Sequence, residues 1–172
     1  MATALSVAVR YFETPLGTMV AVAEGSYLRR LKYADRVDDL DAQGEEEQES
    51  PVLKMVEDEC RQYFAGQLLA FKTPWLLQGT AFQNEVWEVL KTVPYGQTRS
   101  YLQMAVSCGH PRACRAVAAA HAANPISLMI PCHRVINSQG GISGYAGGVE
   151  RKKWLLAHEQ QVIASRRCHG KD

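Results

Sequence analysis

The sequence predicts a mixed α/β chain of the α+β kind in two parts: a small three-stranded antiparallel sheet with one helix, then a mostly helical part carrying a helix-turn-helix. Three observations predict it. Residues 7–34 alternate apolar and polar side chains, the period of a half-buried strand. From residue 51 onward the apolar residues recur at three- and four-residue spacing, the period of one helical face. Two Ser/Thr-x-x-Gln signals, with Gly and Pro stops, then divide the second part into short helices.

Taken in order, VAVRYFETPLGTMVAVAEGSYLRRLKYA breaks at Pro15-Leu16-Gly17 and at Glu24-Gly25-Ser26, which leaves three strands. Asp35 to Ser50 is acidic, lacks periodic apolar residues and is expected to be a mobile loop. A helix is expected over Pro51–Phe64, with Val52, Met55, Val56, Cys60 and Phe64 on its inner face and Gly66 past its end. Leu68 to Gly79 reads as a linker, so the expected domains are 1–78 and 79–160, with 161–172 as a tail. Thr80 and Gln83 form a capping box ahead of Phe82, Val86, Val89, Leu90 and Val93, and Pro94-Tyr95-Gly96 stops that helix. Ser100 and Gln103 repeat the box and open Tyr101 to Cys108, which stops at Gly109. Pro111 suits the first turn of the next helix, RACRAVAAAHAA, which ends before Asn124-Pro125. The last helix, WLLAHE, is expected to end at Glu159.

Composition narrows the function classes. A chain of 172 residues, 47% apolar, can build a packed core. It has no run of eighteen apolar residues and no basic-then-apolar leader, so neither a membrane span nor secretion is expected and the protein reads as intracellular. Five scattered cysteines, an odd number without CxxC spacing, fit reduced thiols and speak against structural zinc. No cofactor motif is present, and neither cofactor nor metal is expected. Residues 1–79 carry 8 Lys/Arg and 13 Asp/Glu, whereas residues 80–172 carry 11 and 5, so the second part is the candidate anion binder.

The helix after Pro111 suggests what kind of anion. Eight of its twelve positions from Arg112 to Ala123 are Ala or Val, and Arg112 and Arg115 are its only charged residues. Such a low-relief surface offers little to read base edges in a major groove and suits contact by shape.

The chemistry concentrates at IPCHRV. A cysteine thiol is mostly protonated at neutral pH and needs a base or cation to become a nucleophile. His133 adjoins Cys132, but neighbours on an extended strand face opposite ways. A turn at Pro131-Cys132, or a bridging water, is therefore required. A third group should orient the imidazole. Of the few carboxylates in the second half (Glu85, Glu88, Glu150, Glu159, Asp172), Glu159 sits on an ordered apolar helix and is preferred.

FQNEVWEVL, VPYGQTRSY, RAVAAAHAANP, IPCHRVI, GYAGG and KKWLLAHE stand in the order and spacing of O6-alkylguanine-DNA alkyltransferases, which this chain resembles closely over about residues 80–160 and loosely before. The resemblance implies a ribonuclease-H-like N-terminal fold and a monomer acting on double-stranded DNA. The alkylated guanine, and also O4-alkylthymine, would be flipped from the minor groove and its alkyl group moved once, irreversibly, to a cysteine. By motif, Cys132 would be that acceptor, with His133 and Glu159 completing the relay, Asn124 bracing it and Tyr101 donating to the base. Arg115 would fill the space the base leaves. Arg112, Ala116 and Ser138 would contact DNA, as would Arg134 or Lys152, and Pro131, Val135, Tyr145 and Ala146 would line the pocket. The cellular site would be the nucleus in a eukaryote and the cytoplasm in a prokaryote.

Two departures matter. Animal members place a zinc site near the N-terminus, and residues 1–59 here hold neither Cys nor His. Ser127 stands where some members have proline. The competing readings are a non-catalytic alkyltransferase-like damage sensor, which would lack the acceptor cysteine, and a Cys-His-Glu hydrolase, which would turn over.

Overall fold

A computed structural model describes residues 6–37, 45–46, 50–142 and 144–169. The chain forms two compact units, Met1–Leu77 with Pro125–Ser127, and Gln78–Asn124 with Leu128–Asp172.

In the first unit the alternating stretch folds as expected into β1 (Val7–Thr14), β2 (Gly17–Glu24) and β3 (Tyr27–Tyr33), antiparallel in sequence. The order across the sheet is β3-β2-β1-β4, where β4 is Glu45–Glu46, running parallel to β1. The expected acidic loop thus contains a strand, and Ala34–Arg36 form a 3₁₀ turn. Edge pairing uses backbone groups alone, so no apolar alternation announced it. Residues 38–44 and 47–49 of that loop lie outside the described residues.

The opposite edge is covered by the segment read as a linker. Leu28 N donates to Pro74 O at 2.9 Å and Leu76 N to Leu28 O at 3.0 Å; further along, Leu31 N donates to Pro125 O at 2.9 Å and Ser127 N to Leu31 O at 2.8 Å. Covering an edge removes a template for unwanted pairing.

Helix α1 (Pro51–Phe64) is capped by Ser50 and buries Val52, Leu53, Val56, Glu59, Cys60 and Tyr63. Met55, expected inside, is 38% exposed, and Phe64 is half-buried. The stripe lies one position round because Glu59 is an inward anchor: its carboxylate accepts from the backbone N–H of Lys72 and of Thr73, each at 2.7 Å, and from the Thr73 hydroxyl.

In the second unit both capping boxes form. Thr80 and Gln83 open α2 (Ala81–Leu90), and Ser100 and Gln103 open α3 (Tyr101–Ser107). Helix α4 (Cys114–Ala122) follows, starting two residues later than expected. Ala113 turns back on His110 and has no side-chain oxygen for a cap, so Arg112 belongs to the preceding turn. Trp87 Nε1 donates to Ala120 O at 2.8 Å, tying α4 to α2. Strands β5 (Arg99–Ser100) and β6 (Val135–Ile136) pair in parallel. Helix α5 runs over Val149–His169, so Glu159 lies inside it rather than at its end. No Gly or Pro interrupts residues 149–169, so nothing in the sequence stops the helix at Glu159. Among the described residues no helix is long and apolar enough to cross a membrane.

Candidate active site

The turn that adjacency demanded is present. Pro131 has φ −81° and ψ 62°, and Cys132 N donates to Ile130 O at 2.8 Å, an inverse γ-turn. Cys132–Arg134 then form one 3₁₀ turn, which sends three successive side chains in different directions. Asn124, just past the end of α4, fixes this loop from one amide: its Nδ2 donates to Ile130 O at 2.8 Å and to Cys132 Sγ at 3.2 Å.

His133 is 0% exposed, and its Nε2 lies 2.6 Å from Glu159 Oε2. Glu159, 1% exposed, also accepts from Arg134 Nε at 2.8 Å, from Arg134 Nη2 at 3.1 Å and from the backbone N–H of Gly96 at 3.0 Å. Burial alone would raise this carboxyl, but the hydrogen bonds and charges of His133 and Arg134 outweigh it and hold the pKa well below the usual carboxylate range. Burial pushes the His133 pKa down, with Glu159 opposing. An ionised Glu159 accepts the proton of Nε2, so a neutral His133 keeps Nδ1 as an acceptor. That atom is buried without a hydrogen-bond partner among the described residues.

Cys132 is 4% exposed. Burial raises its pKa; the Asn124 hydrogen bond, the Lys152 charge and two backbone N–H groups pull the other way and leave it raised. The resting thiol is therefore protonated, and reaction requires the proton to leave.

Cys132 opens on a cavity of about 350 Å³ lined by Tyr101, Ala118, His121, Ala122, Gly144, Tyr145 and Ala146. Burial and the nearby Cys132 raise the Tyr101 pKa, which keeps its hydroxyl a donor. Lys152 stands behind: Nζ donates to Gly144 O at 3.2 Å and lies 5.8 Å from the Tyr101 ring centre.

The structure hydrogen-bonds Asn124 to Cys132 and Glu159 to His133, the residue next in sequence, and places Tyr101, Tyr145 and Ala146 on the cavity wall. Pro131 forms the turn, and Val135 is wholly buried at the start of β6, pairing with Arg99. Arg112, Arg115 and Ala116 are exposed around the start of α4, and Ser138 is exposed in the Asn137–Gly140 turn. Arg134 and Lys152, candidates for phosphate, are buried and engaged with Glu159, Val93 O and Gly144 O instead. The pairing of Arg134 with Glu159 and the α4 wall were not anticipated. Ala118, His121 and Ala122 share a face at i, i+3, i+4, which is the one signal that pointed to them.

Residues 81–161 match the family described as 6-O-methylguanine DNA methyltransferase, DNA binding domain. A Shigella flexneri methylated-DNA–protein-cysteine methyltransferase is 52% identical over 107 residues, 62% of this chain and 63% of that protein. The Salmonella typhimurium protein of that name is 42% identical over 160 residues, 87% of this chain and 94% of its own. The crystal structure of Mycobacterium tuberculosis OGT in complex with DNA superposes with a TM-score of 0.83 at 37% identity, covering 90% of this chain and 94% of that one. The chain belongs to the methylated-DNA–protein-cysteine methyltransferase family.

Proposed function

We propose that this protein repairs O6-alkylguanine in duplex DNA by moving the alkyl group, once per molecule, onto Cys132 Sγ. The observation that carries the reading is the buried thiol that lines the cavity, with Asn124 bonded to it and the His133–Glu159 pair next in the chain. In the step, the Cys132 proton passes through a water to His133 Nδ1. Sulfur attacks the alkyl carbon in line with its bond to O6, the S–C bond forms as C–O breaks, and guanine leaves with the electron pair and takes up a proton. Tyr101 donates to the base ring as that charge develops. The resulting thioether has no easy exit, which makes the protein single-use and separates it from a Cys-His-Glu hydrolase. The presence of Cys132 separates it from a lesion sensor.

Residues 1–78 serve as the supporting domain, 79–160 as the DNA-binding and acceptor domain, and 161–172 as the tail in this reading. The exposed, Ala-rich start of α4 enters the minor groove of a monomeric complex, with Arg115 filling the stack and Arg112 and backbone N–H groups on phosphates. Ala116 and Ser138 contribute further DNA contacts. Pro131, Val135, Tyr145 and Ala146 shape the pocket, which accepts O4-alkylthymine as a second substrate.

One experiment separates the roles. Cys132→Ala should abolish transfer from duplex and from O6-benzylguanine while keeping affinity for DNA. Arg115→Ala should slow duplex repair at least tenfold and leave O6-benzylguanine within about twofold, since unstacking costs a few kcal/mol only in duplex. Transfer that survives Cys132→Ala refutes the acceptor, and equal losses on both substrates refute the role of Arg115.

A further inference from the structure

His121 is used by none of the steps above, yet it is 4% exposed and lines the cavity beside Cys132. Both of its ring nitrogens are buried without a hydrogen-bond partner among the described residues. Its ring centre lies 5.5 Å from that of Tyr101, tilted by 38°, so the two aromatic rings form one wall. A buried polar group left unsatisfied costs free energy and calls for an explanation. Ala118, one helical turn before it on α4, and the adjacent Ala122 are the cavity's other α4 residues, and a methyl group offers the imidazole no hydrogen bond.

Burial, with the Lys152 charge, lowers the pKa of His121 to about 4, so the ring is neutral at working pH and offers one donor and one acceptor. The occupant that satisfies both must present an acceptor and a donor of its own. An O6-alkylguanine does so, with ring nitrogens and an exocyclic amino group. An O4-alkylthymine carries only acceptors and satisfies one.

We propose that His121 is a specificity-determining residue whose imidazole hydrogen-bonds the base seated beside Cys132 and favours alkylated guanine over alkylated thymine. The inference rests on the reading of Cys132 as acceptor. An apolar group at this position would still shape the wall but would leave the base edge without its partner.

The test measures the rate of alkyl addition to Cys132 by mass spectrometry, using duplexes with O6-methylguanine or O4-methylthymine, for wild type, His121→Met, His121→Asn and His121→Gln. His121→Met should lose both hydrogen bonds to methylguanine but only one to methylthymine, so its transfer should fall about five- to tenfold further on methylguanine than on methylthymine, the effect of one neutral hydrogen bond. At least one of the amide variants should recover methylguanine transfer to within about threefold of wild type. Thermal unfolding of His121→Met should occur at or above the wild-type temperature, because the substitution removes an unsatisfied buried group. The proposal is overturned if His121→Met keeps methylguanine transfer within twofold, loses equally on both bases, or is rescued by neither amide. Wild-type protein alkylated at a residue other than Cys132 removes the underlying reading, a result distinct from an unchanged preference in a protein that does alkylate Cys132.

Discussion

Glu159 is the residue on which the site's electrostatics converge, because one buried carboxylate orients His133, pairs with Arg134 and holds the N–H of Gly96. Its folded pKa is depressed relative to an unfolded glutamate at about 4.3, so its contribution to stability is complete above that value and is lost as pH falls below it. Glu159→Gln should therefore destabilise the protein at neutral pH by about 3–5 kcal/mol, the cost of leaving a buried Arg134 charge uncompensated. It should also flatten the stability profile below about pH 4.3 and slow transfer about a hundredfold, which urea titrations across pH and single-turnover rates can check. Cys132, His133 and Glu159 were legible in the sequence because few carboxylates were available and thiol chemistry demands a base. Arg134 and Lys152 were not. A basic side chain reads as a surface group until the tertiary fold shows the partner that allows it inside.

The elements that could be read are those whose causes are local. Both capping boxes, the three alternating strands and α1 are fixed by residues within a few positions of one another. Strand β4 was missed because backbone edge pairing leaves no side-chain pattern, and the start of α4 was placed early because Pro111 suits a first turn that here belongs to a separate loop. The extension of α5 past Glu159 has a structural use. Gln160 Nε2 donates to Gly96 O at 2.6 Å, and Ile163 packs so closely on Gly96 that a Cβ there would lie 2.7 Å from Ile163 Cγ1. Gly96 also needs its φ of 77°, a conformation glycine adopts without strain. Residues 160–163 thus clamp the turn whose N–H reaches Glu159. Ile163→Ala should cost about 1–2 kcal/mol and slow transfer several-fold, measured by thermal unfolding and adduct rate. Unchanged values in both would show that the clamp does not support the site.

Across the whole chain, acidic residues gather in the first 79 positions and basic ones after them, and the cavity, Cys132 and the exposed Arg112 and Arg115 all belong to the second stretch. Two of those basic residues, Arg134 and Lys152, are spent inside the site, so the charge count overstates what the surface offers to phosphates. Binding should then depend on shape and on insertion at α4 more than on bulk charge. In the proposed function the site commits the molecule to a single event, because a buried thiol, protonated at rest, ends as a thioether. Intact-protein mass spectrometry with peptide mapping, after mixing with excess O6-methylguanine duplex, reads that event. One methyl group on Cys132, saturating at one per molecule while guanine is restored, is the predicted result; selective lesion binding with no adduct, or an adduct on another residue, would contradict it.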